Sequence, residues 1–325
     1  MPTMIDFRCP HPGCHAAMAE AADGTGLVCA AGHAFPHAPG TRIPVFAEAP
    51  AGSSEYSIVD AAAFHDNALR WPFATFGTDE ATLRERLIAR LGLRPGQSVL
   101  VTGAGAGNDL PHIAERLEGR GAIHAQDIAS QMLLAGARRC GDAIASMGID
   151  IRFSVCDATR LPYGDAVFDA AYHYGGINLF SSIADGIAEM NRAVKPGGKV
   201  VIADEGMGAW LLKSELGRAL IANNALYAHQ APLALLPETA RDVTLSFELH
   251  NCFYVIDFTV GDGPLPIDLD VPHVGRRGGS IRKRFAGQLE GVDPALKEAI
   301  YRRAEKAGIS RVDFLEAALR AALER

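Results

Sequence analysis

The sequence predicts an α/β protein built on a parallel sheet with helices on its faces, and three observations carry that expectation. The first is VLVTGAGAGNDL, residues 99–110, an apolar run that stops at Gly103, Gly105 and Gly107. A helical pattern, DLPHIAERL, follows at once, so the segment reads as strand, tight turn and helix N-terminus. That is how a parallel sheet holds a nucleotide-like ligand. The second is the recurrence of short apolar runs: GAIHAQDIAS reads as a second strand, FSVCDATRLPYGDAVFDAAYHYGG as a third strand, a loop and a fourth strand, and EMNRAVKPGGKVVIADE as a helix, a turn and a fifth strand. The third is VTLSFELHNCFYVIDFTVG, whose alternation and Val, Phe and Tyr content predict two closing strands that join near Asn251.

The chain has 325 residues, 48% of them hydrophobic, enough for a catalytic domain with additions. A net charge of −7 argues against a protein that wraps nucleic acid nonspecifically, because that binding rests on neutralising phosphates. No stretch reaches eighteen apolar residues, and the N-terminus lacks the apolar run of a signal peptide. No membrane association and a cytoplasmic address are therefore expected.

Three of the six cysteines fall in the first thirty residues, as CPHPGC and CAAGH. Cys9 with Cys14, and Cys29 with His33, form two short pairs of the kind that hold Zn2+ in a tetrahedron. His11 and His37 are alternatives to His33. A segment this small and poor in apolar residues gains folding energy from a metal, and a disulfide is disfavoured in the expected compartment. Cys140, Cys156 and Cys252 sit in apolar surroundings and read as buried small hydrophobes.

Glu48 to Ser54 is a linker by composition. Tyr56, Phe64, Trp71, Phe73 and Phe76 then punctuate short helical pieces, which either line a pocket above the sheet or form the packing face of a cap. Asp79 to Leu91 reads as an amphipathic helix with Leu83, Leu87 and Leu91 on one face.

The spacing G-x-G-x-G at 103, 105 and 107 differs from the G-x-G-x-x-G of nicotinamide-binding domains. It resembles motif I of class I S-adenosylmethionine-dependent methyltransferases. Glycines there let the backbone pass beside the methionine and ribose of S-adenosylmethionine without a Cβ in the way. The resemblance implies a Rossmann-like seven-stranded sheet and extends over roughly residues 79–205. It implies that Asp127, ending the second strand, accepts both ribose hydroxyls, and that Ile128 packs on the adenine. It implies that Asp157 receives the adenine amine and that the Ala158 N–H meets the ring. LPYGDAVFD and the Lys195-Pro196-Gly197-Gly198 turn fall in the same order. Where that family ends its first strand in an acid, this chain has Thr102, and Asp109 at the helix start is expected to take over part of the role toward the methionine ammonium. The N-terminal segment is similar to the zinc ribbon of bacterial rRNA guanine-N1 methyltransferases. GTRIPVF also looks like the small zinc-ribbon proteins that activate tRNA and protein methyltransferases.

The expected organisation is a zinc-ribbon-like domain over 1–48, a helical cap and linker over 49–91, and a cofactor-binding core over 92–263. A helical lid is inserted in that core at 207–240, and a basic loop with C-terminal helices follows over 264–325. His273, Arg276 and Arg277 lie in the basic loop, where arginine forks suit a phosphate or carboxylate. The last two helices, begun by Asp293-Pro294 and by Ser310 with Asp313, have apolar faces suited to docking on the core or to a homodimer.

Methyl transfer from a sulfonium is an in-line displacement in which a protein mainly orients and desolvates. His173 and Asn178, in YHYGGIN, are the expected catalytic residues, with His173 the candidate base. Tyr56, Trp71, His229, His273, Arg276 and Arg277 are the expected substrate contacts, and Asp204 and Glu205 end the fifth strand, where they can bind a cation or an amine. A small-molecule acceptor is preferred, with an rRNA or tRNA base as the alternative favoured by the ribbon. A non-catalytic S-adenosylmethionine-binding scaffold is the third reading.

Overall fold

The computed structural model describes residues 5–49, 56, 60–274, 280–286 and 292–324. An N-terminal meander of β1 (Met18–Glu20), β2 (Gly26–Cys29) and β3 (Ala34–Pro36) is antiparallel throughout. Two helices follow, α1 (Ala61–Thr75) and α2 (Glu80–Ala89). The α2 start is capped by Asp79, whose carboxylate accepts the Thr82 N–H at 2.8 Å.

The large sheet then begins. Its strands are β4 (Ser98–Thr102), β5 (Gly121–Asp127), β6 (Ile149–Val155), β7 (Phe168–Tyr174), β8 (Val194–Glu205), β9 (Ala240–Glu248) and β10 (Phe253–Val260). They lie in the order β6-β5-β4-β7-β8-β10-β9, parallel from β6 to β8, with β10 antiparallel to both neighbours. This is the Rossmann-like seven-stranded sheet of class I methyltransferases. The crossovers carry α3 (Leu110–Arg116), α4 (Ser130–Ser146), α5 (Ile183–Ala193) and α6 (Glu215–Asn223). The Lys195–Gly198 turn lies within β8, at a register shift against β7, with Gly197 at φ 83°.

The central strands are apolar on both sides because both faces are covered. On one face Val99, Val101, Tyr172, Val201 and Val255 pack with Leu83 and Leu87 of α2, Ile113 of α3 and Leu133 of α4. On the other, Leu100, Ala171, Ile202 and Ile256 pack with Ile187 and Met190 of α5.

The β6-to-β7 crossover, residues 156–167, holds no helix, and the N-terminal segment covers that part of the sheet instead. Phe7, Leu27 and Phe46 are buried in the same core as Tyr163 and Phe168. The Phe7 ring lies 5.6 Å from Tyr163 and 5.2 Å from Phe46. The backbone is joined as well. Val155 donates its N–H to the Pro44 carbonyl at 2.9 Å and accepts the Phe46 N–H at 2.8 Å, a parallel bridge on the free edge of β6. The three-stranded meander thus shares a core with the large sheet.

Contacts divide the chain between Pro264 and Leu265. The second unit contains α7 (Ile281–Ala286), α8 (Pro294–Lys306) and α9 (Arg311–Leu323). Asp293 caps α8 by accepting the Ala295 and Leu296 N–H groups, and Ser310 caps α9 through the Asp313 N–H. Arg311 lies over the Tyr301 ring at 4.0 Å. Among the described residues no helix is long and apolar enough to cross a membrane.

Candidate functional site

β4 delivers its last residue, Thr102, to a turn in which Gly103, Gly105 and Gly107 all have positive φ, 60°, 52° and 81°. An L side chain is strained there, so the glycines are required by the turn itself. Space is also short around it. A Cβ on Gly107 would meet Cys140 Sγ at 3.0 Å, and one on Gly136 of α4 would meet the Ala106 carbonyl carbon at 2.9 Å. Ala61 and Ala62 of α1 pack with Ala106 of the turn and with Ala129 and Met132, so α1 roofs this region.

Asp127 ends the neighbouring strand β5 beside that turn. One carboxylate oxygen accepts the Gly105 N–H and the other the Ala129 N–H, both at 2.8 Å. Burial raises its pKa against those bonds. Ile128 projects next to it, 38% exposed. Glu48 and Ala49 brace this loop, Glu48 by accepting the Ser130 hydroxyl and Ala49 by donating its N–H to the Ile128 carbonyl at 3.0 Å. Beyond β6, Asp157 accepts the Thr159 N–H and hydroxyl, both at 2.8 Å, and Ala158 is buried beside it. The expected adenosine-side residues are therefore gathered at the carboxyl ends of β4, β5 and β6.

Thr102 and Asp109 are differently employed from the expectation. The Thr102 hydroxyl points into the sheet interior, 3.0 Å from His173 Nδ1 and 3.4 Å from Met190 Sδ. Asp109 is turned toward α2. Its carboxylate accepts Arg84 Nη1 at 2.6 Å and the Tyr172 hydroxyl at 3.1 Å. Arg84 is buried and also donates to Glu80. Burial opposes its charge, yet Asp109 beside it raises its pKa. The pair joins α2 to the start of α3, and its geometry leaves Asp109 occupied.

The two expected catalytic residues are likewise built into the scaffold. His173 is fully buried, its ring edge-on to Phe180 at 5.1 Å, and burial pushes its pKa down to about 4. It lies directly beneath the turn, where a Cβ on Gly103 would meet its ring at 2.9 Å. Such a group is neutral at pH 7 and a weak proton acceptor. The Asn178 amide donates to the Glu205 carbonyl at 2.7 Å and accepts the Tyr254 hydroxyl at 3.0 Å, so both of its ends are engaged.

Of the expected substrate contacts, Tyr56 lies edge-on to His65 at 5.9 Å, Trp71 is exposed on α1, and His229 is half-buried before β9. His273 is exposed in the second unit, and Arg276 and Arg277 lie outside the described residues. The buried Arg84 was absent from the expected site. Its signal was an arginine next to Leu83 on the apolar stripe of an amphipathic helix.

In the N-terminal segment Cys9, Cys14, Cys29 and His33 present ligand atoms that all lie within 4.8 Å of one another. Cys14 and Cys29 sulfurs are 3.8 Å apart, and His33 Nδ1 is 3.4 Å from Cys9 Sγ and 3.5 Å from Cys29 Sγ. The edges of a tetrahedral zinc site are about 3.8 Å for S···S and about 3.6 Å for S···N, given the usual bond lengths. The cluster fits that ion. His11 is stacked on His33 at 3.8 Å, and His37 stands 3.9 Å from Glu20, so neither completes the four.

The segment that holds the glycine turn matches known proteins in sequence. Residues 99–198 match the methyltransferase domain family. A ubiquinone/menaquinone biosynthesis C-methyltransferase of Cupriavidus taiwanensis is 33% identical over 117 residues, 36% of this chain and 46% of that protein. A demethylmenaquinone methyltransferase of Beutenbergia cavernae is 33% identical over 151 residues, 45% of this chain and 58% of that protein. The chain thus spans about half the length of the curated relatives it matches. Among solved structures, phosphoethanolamine N-methyltransferase 2 of Haemonchus contortus aligns with 15% identity and a TM-score of 0.48, over 59% of this chain and 56% of that one.

Proposed function

We propose that this protein is an S-adenosylmethionine-dependent methyltransferase acting on a small-molecule acceptor, with Zn2+ held by Cys9, Cys14, Cys29 and His33. The observation that carries the reading is the pairing of three positive-φ glycines with the half-buried Asp127 carboxylate, inside the segment that matches the methyltransferase domain. When bound, S-adenosylmethionine supplies a methyl group on a sulfonium, already attached to a good leaving group. The glycines give its methionine and ribose room, and Asp127, an acceptor-only group, takes the ribose hydroxyls. Ile128 and Ala158 flank the adenine, and Asp157 accepts its amine. Thr102 and Asp109 act here through the backbone and the helix start, since their side chains face inward. α1 and the 207–240 segment exclude water from the carboxyl ends of β7 and β8. In this reading His173 is a positioning residue under Gly103, and Asn178 ties β7 to β8.

The test is to incubate the protein with host extract and methyl-labelled S-adenosylmethionine, then to locate the label by mass spectrometry. Label in the small-molecule fraction is expected. Label confined to RNA, or none anywhere with the cofactor bound, overturns the reading. In the same assay His173→Gln is expected to keep its rate within about tenfold, because a positioning residue loses less than a general base.

The C-terminal helices support a homodimer as part of this proposal. Ala304 is the one residue buried in α8 and α9, while Leu296, Leu319 and Leu323 are exposed. Two thirteen-residue helices bury little by themselves and gain from a second copy. Sedimentation equilibrium is expected to give twice the monomer mass, falling to the monomer in Leu319→Glu/Leu323→Glu. A monomeric wild-type chain excludes the dimer.

A further inference from the structure

The carboxyl end of β8 carries two adjacent acids that alternation sends to opposite faces. Asp204 is fully buried, accepting the Asn178 N–H at 2.8 Å and the Glu205 N–H at 2.7 Å, and its carboxyl is also hydrogen-bonded to the Glu205 carboxyl. By alternation position 205 falls on the α2 side of the sheet, although the Glu205 carboxyl still reaches that of Asp204. There its register partners are Phe253 on β10 and, two residues back, Ala203 beside Tyr174 at the end of β7. Tyr174 lies 5.3 Å from Phe253, and its ring carries Arg84 at 4.5 Å. Next to Tyr174, Gly175 and Gly176 have positive φ, and a Cβ on either would meet nothing within 4 Å. Open space therefore adjoins the strand end on which the acceptor side of such a sheet lies.

Five elements, its own strand included, bring titratable groups near Glu205. Tyr174 comes from β7, His65 from α1 and Tyr227 from the segment after α6, while Asp204 and Tyr254 flank it on β8 and β10. Among the described residues, one arginine of α2 and one of α4 are already spent. Arg84 is held by Asp109 and Glu80, and Arg139 by Asp66 and Asn108. An anionic acceptor would find the guanidinium charges compensated. A carboxyl among phenol and phenyl rings instead suits an amine.

We infer that Glu205 is the acceptor-binding carboxyl and proton acceptor of this site, and that the acceptor is an amine. The inference rests on the methyltransferase reading above. Glu205, entering the step as the carboxylate, takes one proton from the acceptor ammonium, leaving a nitrogen lone pair. The nitrogen then bonds to the methyl carbon as the carbon–sulfur bond breaks, with its electron pair passing to sulfur, and Glu205 returns its proton to water. Burial, reinforced by Asp204, raises the Glu205 pKa well above the usual range, which favours the neutral carboxyl–amine pair over the ion pair.

The test compares wild type with Glu205→Gln and Glu205→Asp, using the small-molecule fraction of extract and methyl-labelled S-adenosylmethionine. Binding of S-adenosylhomocysteine, measured by calorimetry, is expected to change less than threefold and reports that each variant is folded. Wild type is expected to label a nitrogen. Glu205→Gln should lose roughly 10²-fold in rate along with the acidic limb of the pH profile, and Glu205→Asp should recover part of both. Label on oxygen or carbon overturns the amine assignment while leaving methyl transfer intact. A Glu205→Gln rate within threefold of wild type overturns the role of Glu205. No labelled small molecule with wild type overturns the methyltransferase reading and this inference with it.

Discussion

Replacing Asp127 with Ala is expected to weaken S-adenosylhomocysteine binding by roughly 10²–10⁴-fold, the value of two hydrogen bonds to a charged acceptor. Two losses combine. The ribose hydroxyls lose their acceptor, and the Gly105 and Ala129 N–H groups lose the carboxylate that holds the turn against the start of α4. Asp127→Asn keeps the shape and one acceptor oxygen, so it should lose less, roughly tenfold. The pH dependence has a definite sign. Burial raises the Asp127 pKa in the free protein. A carboxyl raised on folding favours the folded chain at low pH, and that contribution is lost as pH rises through its folded pKa. Ribose hydroxyls donate best to the ionised form, so affinity for S-adenosylhomocysteine should fall as pH drops through that same value. Calorimetric titration from neutral to acid pH checks both claims. An affinity unchanged by Asp127→Ala removes this carboxylate from the cofactor site.

The parts of this architecture legible in the sequence are those set by local backbone needs. Three glycines at alternate positions between an apolar run and a helical pattern mark a tight turn, and the apolar runs around them mark strands covered on both faces. The Cys9, Cys14, Cys29 and His33 cluster is legible for a related reason, since two short loops supply two ligands each. What was not legible depends on partners far apart in the chain. The sequence places Thr102 and Asp109 beside the turn, but not the inward aim of their side chains. That aim follows from His173 lying under Gly103 and from Arg84 arriving on α2. Asn178 looks catalytic at a strand end until Tyr254, 76 positions away, is found bonded to it. The docking of the N-terminal segment was hidden for the same reason. The β6-to-β7 crossover reads as a loop in the sequence, but only the assembled sheet reveals that it leaves room for Phe7 and Phe46.

That docking makes the metal site a determinant of stability beyond its own loops. Purified protein is expected to hold about one zinc per chain, and Cys29→Ser to hold none. A structural Zn2+ contributes about 10–16 kcal/mol to small folds of this kind, more than so short a meander gains from its own burial. Its loss should therefore unfold β1 to β3. Phe7, Leu27 and Phe46 would then leave the core they share with Tyr163, at about 1.5–3 kcal/mol for each side chain. The β6 edge would also lose its bridge to Pro44–Phe46 and expose unpaired backbone. Part of this cost falls on the denatured reference, so a net loss of at least about 3 kcal/mol is expected. For a domain of this size that corresponds to a fall in Tm of roughly 5–10 °C. Scanning calorimetry of the zinc-loaded protein, the chelated protein and Cys29→Ser measures it directly. Cys140→Ser, a buried thiol outside the cluster, is the control and should retain the full zinc content. A Tm unmoved by chelation, with zinc demonstrably removed, would mean that the meander and its contacts with Tyr163 stand without the ion.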